Sequence, residues 1–190
     1  MKNRWGAWGL RSLAGVGLFT ALVMAGAVGC SEVEPASQPA SPAEIGLVEL
    51  QVRAPDFSLP MLGGGTFTLS DLQGLPVVLT FWNFECTRCQ EEMPFMMDAS
   101  TNFRDEIQFV GVHILGTETD VEQFFDDAEL DMLVPLDLDG QIAAGYSVSY
   151  TPTTFFLDSE GIVRYTKIGQ FTNYGDVAAA VNFIIAKDAE

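Results

Sequence analysis

Val77-Val78-Leu79-Thr80-Phe81-Trp82, followed by Asn83-Phe84-Glu85 and then Cys86-Thr87-Arg88-Cys89, is the stretch that decides the fold. Six residues, mostly β-branched or aromatic and without a charge, read as a buried strand, and the residues after Cys86 read as a helix running to about Glu106, with Pro94 a candidate kink. A strand therefore delivers a C-x-x-C pair to a helix N-terminus. There, unpaired backbone N–H groups and the positive end of the helix dipole stabilise a thiolate on Cys86, and Cys89 lies about one turn on, close enough to close a disulfide. Dithiol/disulfide exchange needs this arrangement, with one reactive thiol and one able to expel the mixed-disulfide partner. Cys86 is the candidate nucleophile, with a pKa drawn from about 8.5 into the range of roughly 3.5 to 7.5. Arg88 adds a cation nearby, Glu85 opposes it, and Cys89 is the candidate resolving thiol. Outside the cytoplasm the same spacing also describes a static disulfide, so spacing alone leaves both readings open.

Working outward, Phe57-Ser58-Leu59 and Thr66-Phe67-Thr68-Leu69 flank Gly63-Gly64-Gly65 and predict a hairpin. Ile107 to Leu115 is the next strand. Val121, Phe124, Phe125 and Ala128 recur at helical spacing and predict an amphipathic helix over 119–130. A short strand near Leu133–Leu136 and a short helix near 140–146 follow. Thr153–Leu157 and Ile162–Ile168 are strands joined by the turn Asp158-Ser159-Glu160-Gly161, and Val177, Val181, Ile184 and Ile185 give a last helix its buried stripe. Strands alternating with helices, then a closing hairpin and a helix, imply an α/β fold with a central mixed sheet covered on both faces.

The start of the chain has a different character. Lys2, Arg4 and Arg11 precede an uncharged apolar stretch from Leu13 to Val28, the layout of an export signal over residues 1–29. It ends in Ala27-Val28-Gly29-Cys30, which resembles a bacterial lipoprotein box with Ala27 where Leu is more usual; Cys30 would then be lipidated and become the first residue of the mature protein. An uncleaved membrane anchor and cleavage without lipidation are the competing readings, although a stretch this short and rich in Gly and Ala makes a weak permanent span. Lipidation of Cys30 also leaves Cys86 and Cys89 as a matched pair among three cysteines. Ser31 to about Glu44 reads SEVEPASQPASPAE, so residues 30–47 are expected to be the lipidated cysteine and a disordered tether, and 48–190 one domain.

The whole chain has 9 Lys+Arg and 26 Asp+Glu; without the three basic residues of the signal the balance is 6 against 26, a net charge of −20. Such a surface makes nucleic acid a poor partner and keeps the domain off anionic lipid headgroups, leaving attachment to the lipid and tether.

Three motifs in order, Ala54-Pro55-Asp56-Phe57, Phe81-Trp82 with Cys86-x-x-Cys89-x-x-Glu92-Met93-Pro94, and Thr151-Pro152-Thr153-Thr154-Phe155, resemble the TlpA/ResA-like family of extracytoplasmic thiol-disulfide oxidoreductases over about residues 50 to 185. The resemblance implies a thioredoxin-like fold with the hairpin as an N-terminal addition, and a membrane-tethered oxidoreductase. Its only redox group would be the disulfide itself, with no metal or other cofactor. It implies exported protein thiols and disulfides as partners, apocytochrome c or a copper-site protein among them, together with a membrane or soluble redox partner, and a monomer.

By the same resemblance Glu92 tunes the thiols and relays their protons, and Pro152 is a cis-proline that turns the Thr151 backbone toward the dithiol. A surface Glu and a trans-Pro at a strand edge are the plainer readings of these two. Thr80 stands where thioredoxin has a buried Asp, which gives Glu92 more to do. Trp82, Arg88 and Thr151 are candidates for substrate contact, and Trp82 and Phe84 for the rim of the site, although a Trp ending a central strand is more often core. Arg88 replaces a common Pro, and Phe84-Glu85 replaces the usual Trp before the first cysteine. A thiol peroxidase is an alternative suggested by Ala-Pro-Asp-Phe, but it needs Thr or Ser where Asn83 stands. A carrier of copper or another thiol-bound metal through Cys86 and Cys89 is a third reading. His113 is the only histidine and reads as a satisfied strand residue.

Overall fold

The computed structural model describes residues 40–125 and 132–189. The expected export signal, Cys30, most of the expected tether and Ala128 of the expected 119–130 helix lie outside the described residues. Along the chain run β1 (Val48–Arg53), β2 (Ser58–Pro60), β3 (Thr66–Thr68), β4 (Val77–Trp82), α1 (Thr87–Asn102), β5 (Gln108–Ile114), α2 (Glu118–Phe124), β6 (Leu136–Asp137), α3 (Gln141–Gly145), β7 (Thr153–Leu157), β8 (Ile162–Ile168) and α4 (Tyr174–Asp188). Six strands form one sheet in the order β1-β8-β7-β4-β5-β6, with β4 parallel to β5 and antiparallel to β7. This is the mixed α/β sheet of a thioredoxin-like fold. The strands β2 and β3 pair separately as the expected hairpin around Gly63-Gly64-Gly65, all three at positive φ.

Strand β4 is buried along its whole length because both faces of the sheet are covered, which is why it reads as an unbroken apolar run rather than an alternation. Val78 and Trp82 join one core with Met93 and Met96 of α1 and Val177 and Val181 of α4. Val77, Leu79 and Phe81 join the other, with Phe57, Phe67 and Ala143. Period-two alternation therefore places Thr80 on the same face as Val78 and Trp82, under α1. On β5 a Cβ at Gly111 would stand 3.0 Å from Met132 Cε and 3.3 Å from Trp82 Nε1, so the glycine leaves room for the indole.

Several boundaries differ from expectation. Helix α1 continues through Pro94 but stops at Asn102, short of Glu106, where Phe103 N–H caps Ala99 O and the chain turns into the exposed Arg104-Asp105-Glu106. The strand expected near Leu133–Leu136 is Leu136–Asp137, and Leu133 makes only an isolated bridge to Val110. The buried Asp137 carboxylate then accepts from the N–H groups of Ile142 and Ala143 and so fixes the start of α3. Ile45 and Leu47 are buried in the α1/α4 core, so the packed chain begins before Val48. Strand β1 carries no strong signal because it is an edge strand, paired only with β8 and exposed on nearly every residue. In α4 the buried stripe is Val177, Ala180, Val181 and Ile184, with Ile185 at its margin. Among the described residues no helix is long and apolar enough to cross a membrane.

Candidate active site

The chain leaves β4 at Trp82, crosses Asn83-Phe84-Glu85 and enters α1 with Cys86 as its N-cap residue. Cys86 and Cys89 are joined by a disulfide, their Cα atoms 5.2 Å apart. Cys86 Sγ accepts at 3.2 Å from the backbone N–H of Cys89, in the first turn of the helix, and that N–H is shared with Cys86 O at 2.9 Å. Once the disulfide is reduced, the same N–H and the helix dipole would favour a thiolate on that sulfur. Cys86 is half-buried, whereas Cys89 is 1 % exposed. The outer sulfur is reachable by a partner and the inner one is not.

Three side chains that the sequence reading gave no role hold the approach loop. Asn83 Nδ2 donates to Ile114 O at 2.6 Å while its Oδ1 accepts from Glu85 N–H at 2.8 Å. Gln90 Nε2 donates to Phe84 O at 2.6 Å. The N–H of Phe84 is donated to His113 Nε2 at 3.3 Å. The imidazole is buried, and burial lowers its pKa, with Asp120 acting weakly in the opposite sense. Accepting at Nε2 requires the neutral ring, so the lowered pKa and the hydrogen bond agree. These anchors lie on different elements and share no sequence period, which is why spacing does not reveal them. The side chain of Asn83 is committed at one end to the loop and at the other to the end of β5, and it offers no hydroxyl of the kind a peroxide site uses.

Opposite Cys86, the bond between Thr151 and Pro152 is cis, and Thr151 O lies 3.5 Å from Cys86 Sγ. Arg88 is exposed on the first turn of α1. Trp82 is placed otherwise than the rim position considered from the sequence. It is fully buried, donates from Nε1 to Gly111 O at 3.1 Å, and packs edge-on against His113 and Phe125. Its place on the α1 face of β4 makes it a support under the site and removes it from substrate contact.

Glu92 lies inside, 2 % exposed. Its Oε1 accepts from Phe171 N–H at 3.3 Å, and it shares with Cys89, Thr80, Trp82 and Met96 a narrow gap that has no room for a water molecule. Burial pushes its pKa up to about 7, against the smaller opposing pulls of the Phe171 N–H and the Lys167 charge. Thr80 Oγ1 is 3.0 Å from Thr154 Oγ1, so its hydroxyl is engaged across the β4–β7 pair. Glu91, its neighbour in sequence, is exposed and accepts from Gln170 Nε2. Among the described residues no three His, Cys, Asp or Glu side chains form a group able to hold a metal ion.

The sequence profile of the AhpC/TSA family matches residues 50–166. The chain belongs to the AhpC/TSA family. Within it, the chain is 36% identical over 124 residues to the thiol-disulfide oxidoreductase ResA of Oceanobacillus iheyensis, an alignment covering 63% of this chain and 65% of that protein, just under two thirds. It is 36% identical over 132 residues to the thioredoxin-like protein YneN of Bacillus subtilis, covering 68% and 76%. A Chlorobium tepidum structure assigned as a thiol:disulfide interchange protein DsbE superposes with a TM-score of 0.66 at 27% identity, covering 73% of this chain and 98% of that one. These relatives, the fold and the Cys86–Cys89 disulfide place the chain among the ResA-like thiol-disulfide oxidoreductases.

Proposed function

We propose that this protein is an exported, membrane-tethered oxidoreductase that exchanges dithiol for disulfide with other exported proteins through Cys86 and Cys89. The observation that carries the reading is the pairing of a reachable Cys86 sulfur, which accepts the Cys89 N–H and lies beside Thr151 O, with a buried Cys89. In the oxidised form a substrate thiolate attacks Cys86 Sγ. The Cys86–substrate bond forms as the Cys86–Cys89 bond breaks, and the electron pair leaves on Cys89, which takes a proton from Glu92. A second substrate thiolate then attacks the substrate sulfur of the mixed disulfide and releases Cys86 as a thiolate. Two electrons pass from substrate to protein, and the reduced protein runs the same steps backward on a substrate disulfide.

The test is stoichiometric. Oxidised protein mixed with a peptide dithiol should yield one peptide disulfide and two new protein thiols per exchange, counted by mass after alkylation. Failure to gain thiols under conditions where dithiothreitol reduces the protein would make the Cys86–Cys89 bond a static one.

Export and tethering rest on Lys2, Arg4, Arg11, the apolar run to Val28 and Ala27-Val28-Gly29-Cys30. Cys30→Ala should move the protein from the membrane fraction to the soluble exported fraction, or leave an unprocessed precursor. Unchanged membrane attachment with an intact N-terminus would instead identify the segment as an uncleaved anchor.

A further inference from the structure

Two surface cavities adjoin at Ser149 and Tyr150, the first of them reaching Cys86, and together they extend well beyond what a small thiol would occupy. The first, of about 480 Å³, is lined by Glu85, Cys86, Leu115, Val148, Tyr150 and Thr151 among others. The second, of about 270 Å³, is lined by Tyr146, Tyr150, Phe155 and Ile168 among others. Ser149 and Tyr150 belong to both, so the cavities form one groove running from the reactive sulfur along the segment before Pro152.

Its walls carry apolar surface left uncovered. Tyr150 is 72% exposed, Ile168 64% and Leu115 51%. Leu115 also sits at φ 59°, a left-handed conformation that is unfavourable for a residue with a side chain. Its side chain lies against Gly140, where a Cβ would come within 3.2 Å of Leu115 Cδ2. A leucine held out of the core in this way is placed for a contact on the surface.

The charge in the groove has one sign. Among the described residues Glu85 is the only charged one lining either cavity; it is exposed, and its backbone is fixed by Asn83 Oδ1 directly before Cys86. Arg88, although near in sequence, lines neither cavity.

Building on the thiol-exchange reading, we propose that the occupant of this groove is an extended polypeptide segment whose reacting cysteine is flanked by a cationic residue, received by Glu85, and by an apolar residue, received by Leu115 and Tyr150. An extended segment suits the groove because alternate side chains on one face of a strand are spaced to enter successive pockets while Thr151 supplies backbone at the reacting sulfur. The cation is assigned by charge complementarity, and it makes Glu85 a specificity-determining residue.

The experiment uses the reduced protein and synthetic peptides bearing one cysteine blocked as a mixed disulfide with 2-mercaptoethanol. The peptides are alike except that the cysteine is flanked by Leu and Lys, by Leu and Glu, or by Gly and Lys. Bis(2-hydroxyethyl) disulfide, small and neutral, is measured with every variant, and each peptide rate is expressed relative to it so that any effect of residue 85 on Cys86 thiolate formation cancels. At low ionic strength the natural protein should favour the Leu/Lys peptide over the Leu/Glu peptide by roughly five- to tenfold in kcat/KM, shrinking as salt is added. Glu85→Gln should flatten that ratio and Glu85→Lys should invert it, while Gly in place of Leu should lower the relative rate severalfold. Equal ratios in the natural protein, Glu85→Gln and Glu85→Lys overturn the proposal. If bis(2-hydroxyethyl) disulfide also fails to react, the thiol-exchange reading itself falls and takes this proposal with it.

Discussion

Cys89→Ser should accumulate stable mixed disulfides between Cys86 and polypeptide partners, Cys86→Ser should accumulate almost none, and turnover should fall by roughly a thousandfold or more in both, since neither keeps the paired thiols that the cycle needs. The asymmetry follows from the two environments. A partner that has bonded to Cys86 is normally expelled by attack from Cys89, which is buried at the inner side of the same turn. A serine there has no thiolate to attack with, so the mixed disulfide persists. With Cys86 replaced, the remaining sulfur is 1 % exposed and a partner cannot reach it. The check is non-reducing electrophoresis and mass analysis of both variants after exposure to exported proteins. Equal trapping by the two variants, or none by either during turnover, would overturn the assigned roles.

The part of this site that was legible in the sequence is the part carried by local chemistry. An apolar run ending in C-x-x-C at a helix start specifies a strand, an N-terminus and a pair of sulfurs with no help from distant residues. Glu92 was legible as to position, one turn beyond Cys89, but its burial depends on Phe171, 79 residues away, and on α4 closing over α1. No local pattern encodes that closure. Of the two readings of Trp82, rim and core, the core one holds, and the alternation along β4 already places it with Val78 on the face that α1 covers. His113 and Asn83 escaped because their partners are backbone groups of the approach loop and of the end of β5, which meet only after β4 and β5 have paired. The groove escaped for the same reason. Leu115 follows one strand and Tyr150 precedes another, and only the parallel and antiparallel neighbours of β4 bring both beside Cys86.

Glu92→Gln should uncouple both stability and thiol chemistry from pH. The glutamine keeps the shape and an oxygen for Phe171 N–H but cannot ionise, so the variant isolates the charge from the packing. The carboxyl pKa is raised by burial from 4.5 to about 7. Below 4.5 the folded and unfolded chains both hold the proton, and burying Glu92 carries no charge penalty. Between 4.5 and about 7 the folded chain keeps a proton that the unfolded chain has released, so stability falls as pH rises; above 7 the whole penalty, roughly 3 kcal/mol, remains. Urea unfolding of the oxidised protein should therefore show the variant near parity at pH 4 and ahead by up to about 3 kcal/mol at pH 8. The kinetic effect runs the other way. At pH 6 to 7 the natural carboxyl still holds a proton to give to Cys89 as it leaves, whereas the amide has none, and water cannot enter the gap they share. Exchange by the variant should be slower by roughly tenfold to a hundredfold there, and the inflection near pH 7 in the rate profile should vanish. A stability difference that stays flat from pH 4 to 8, together with an unaltered rate profile, would show that Glu92 carries its charge throughout and takes no part in moving the proton.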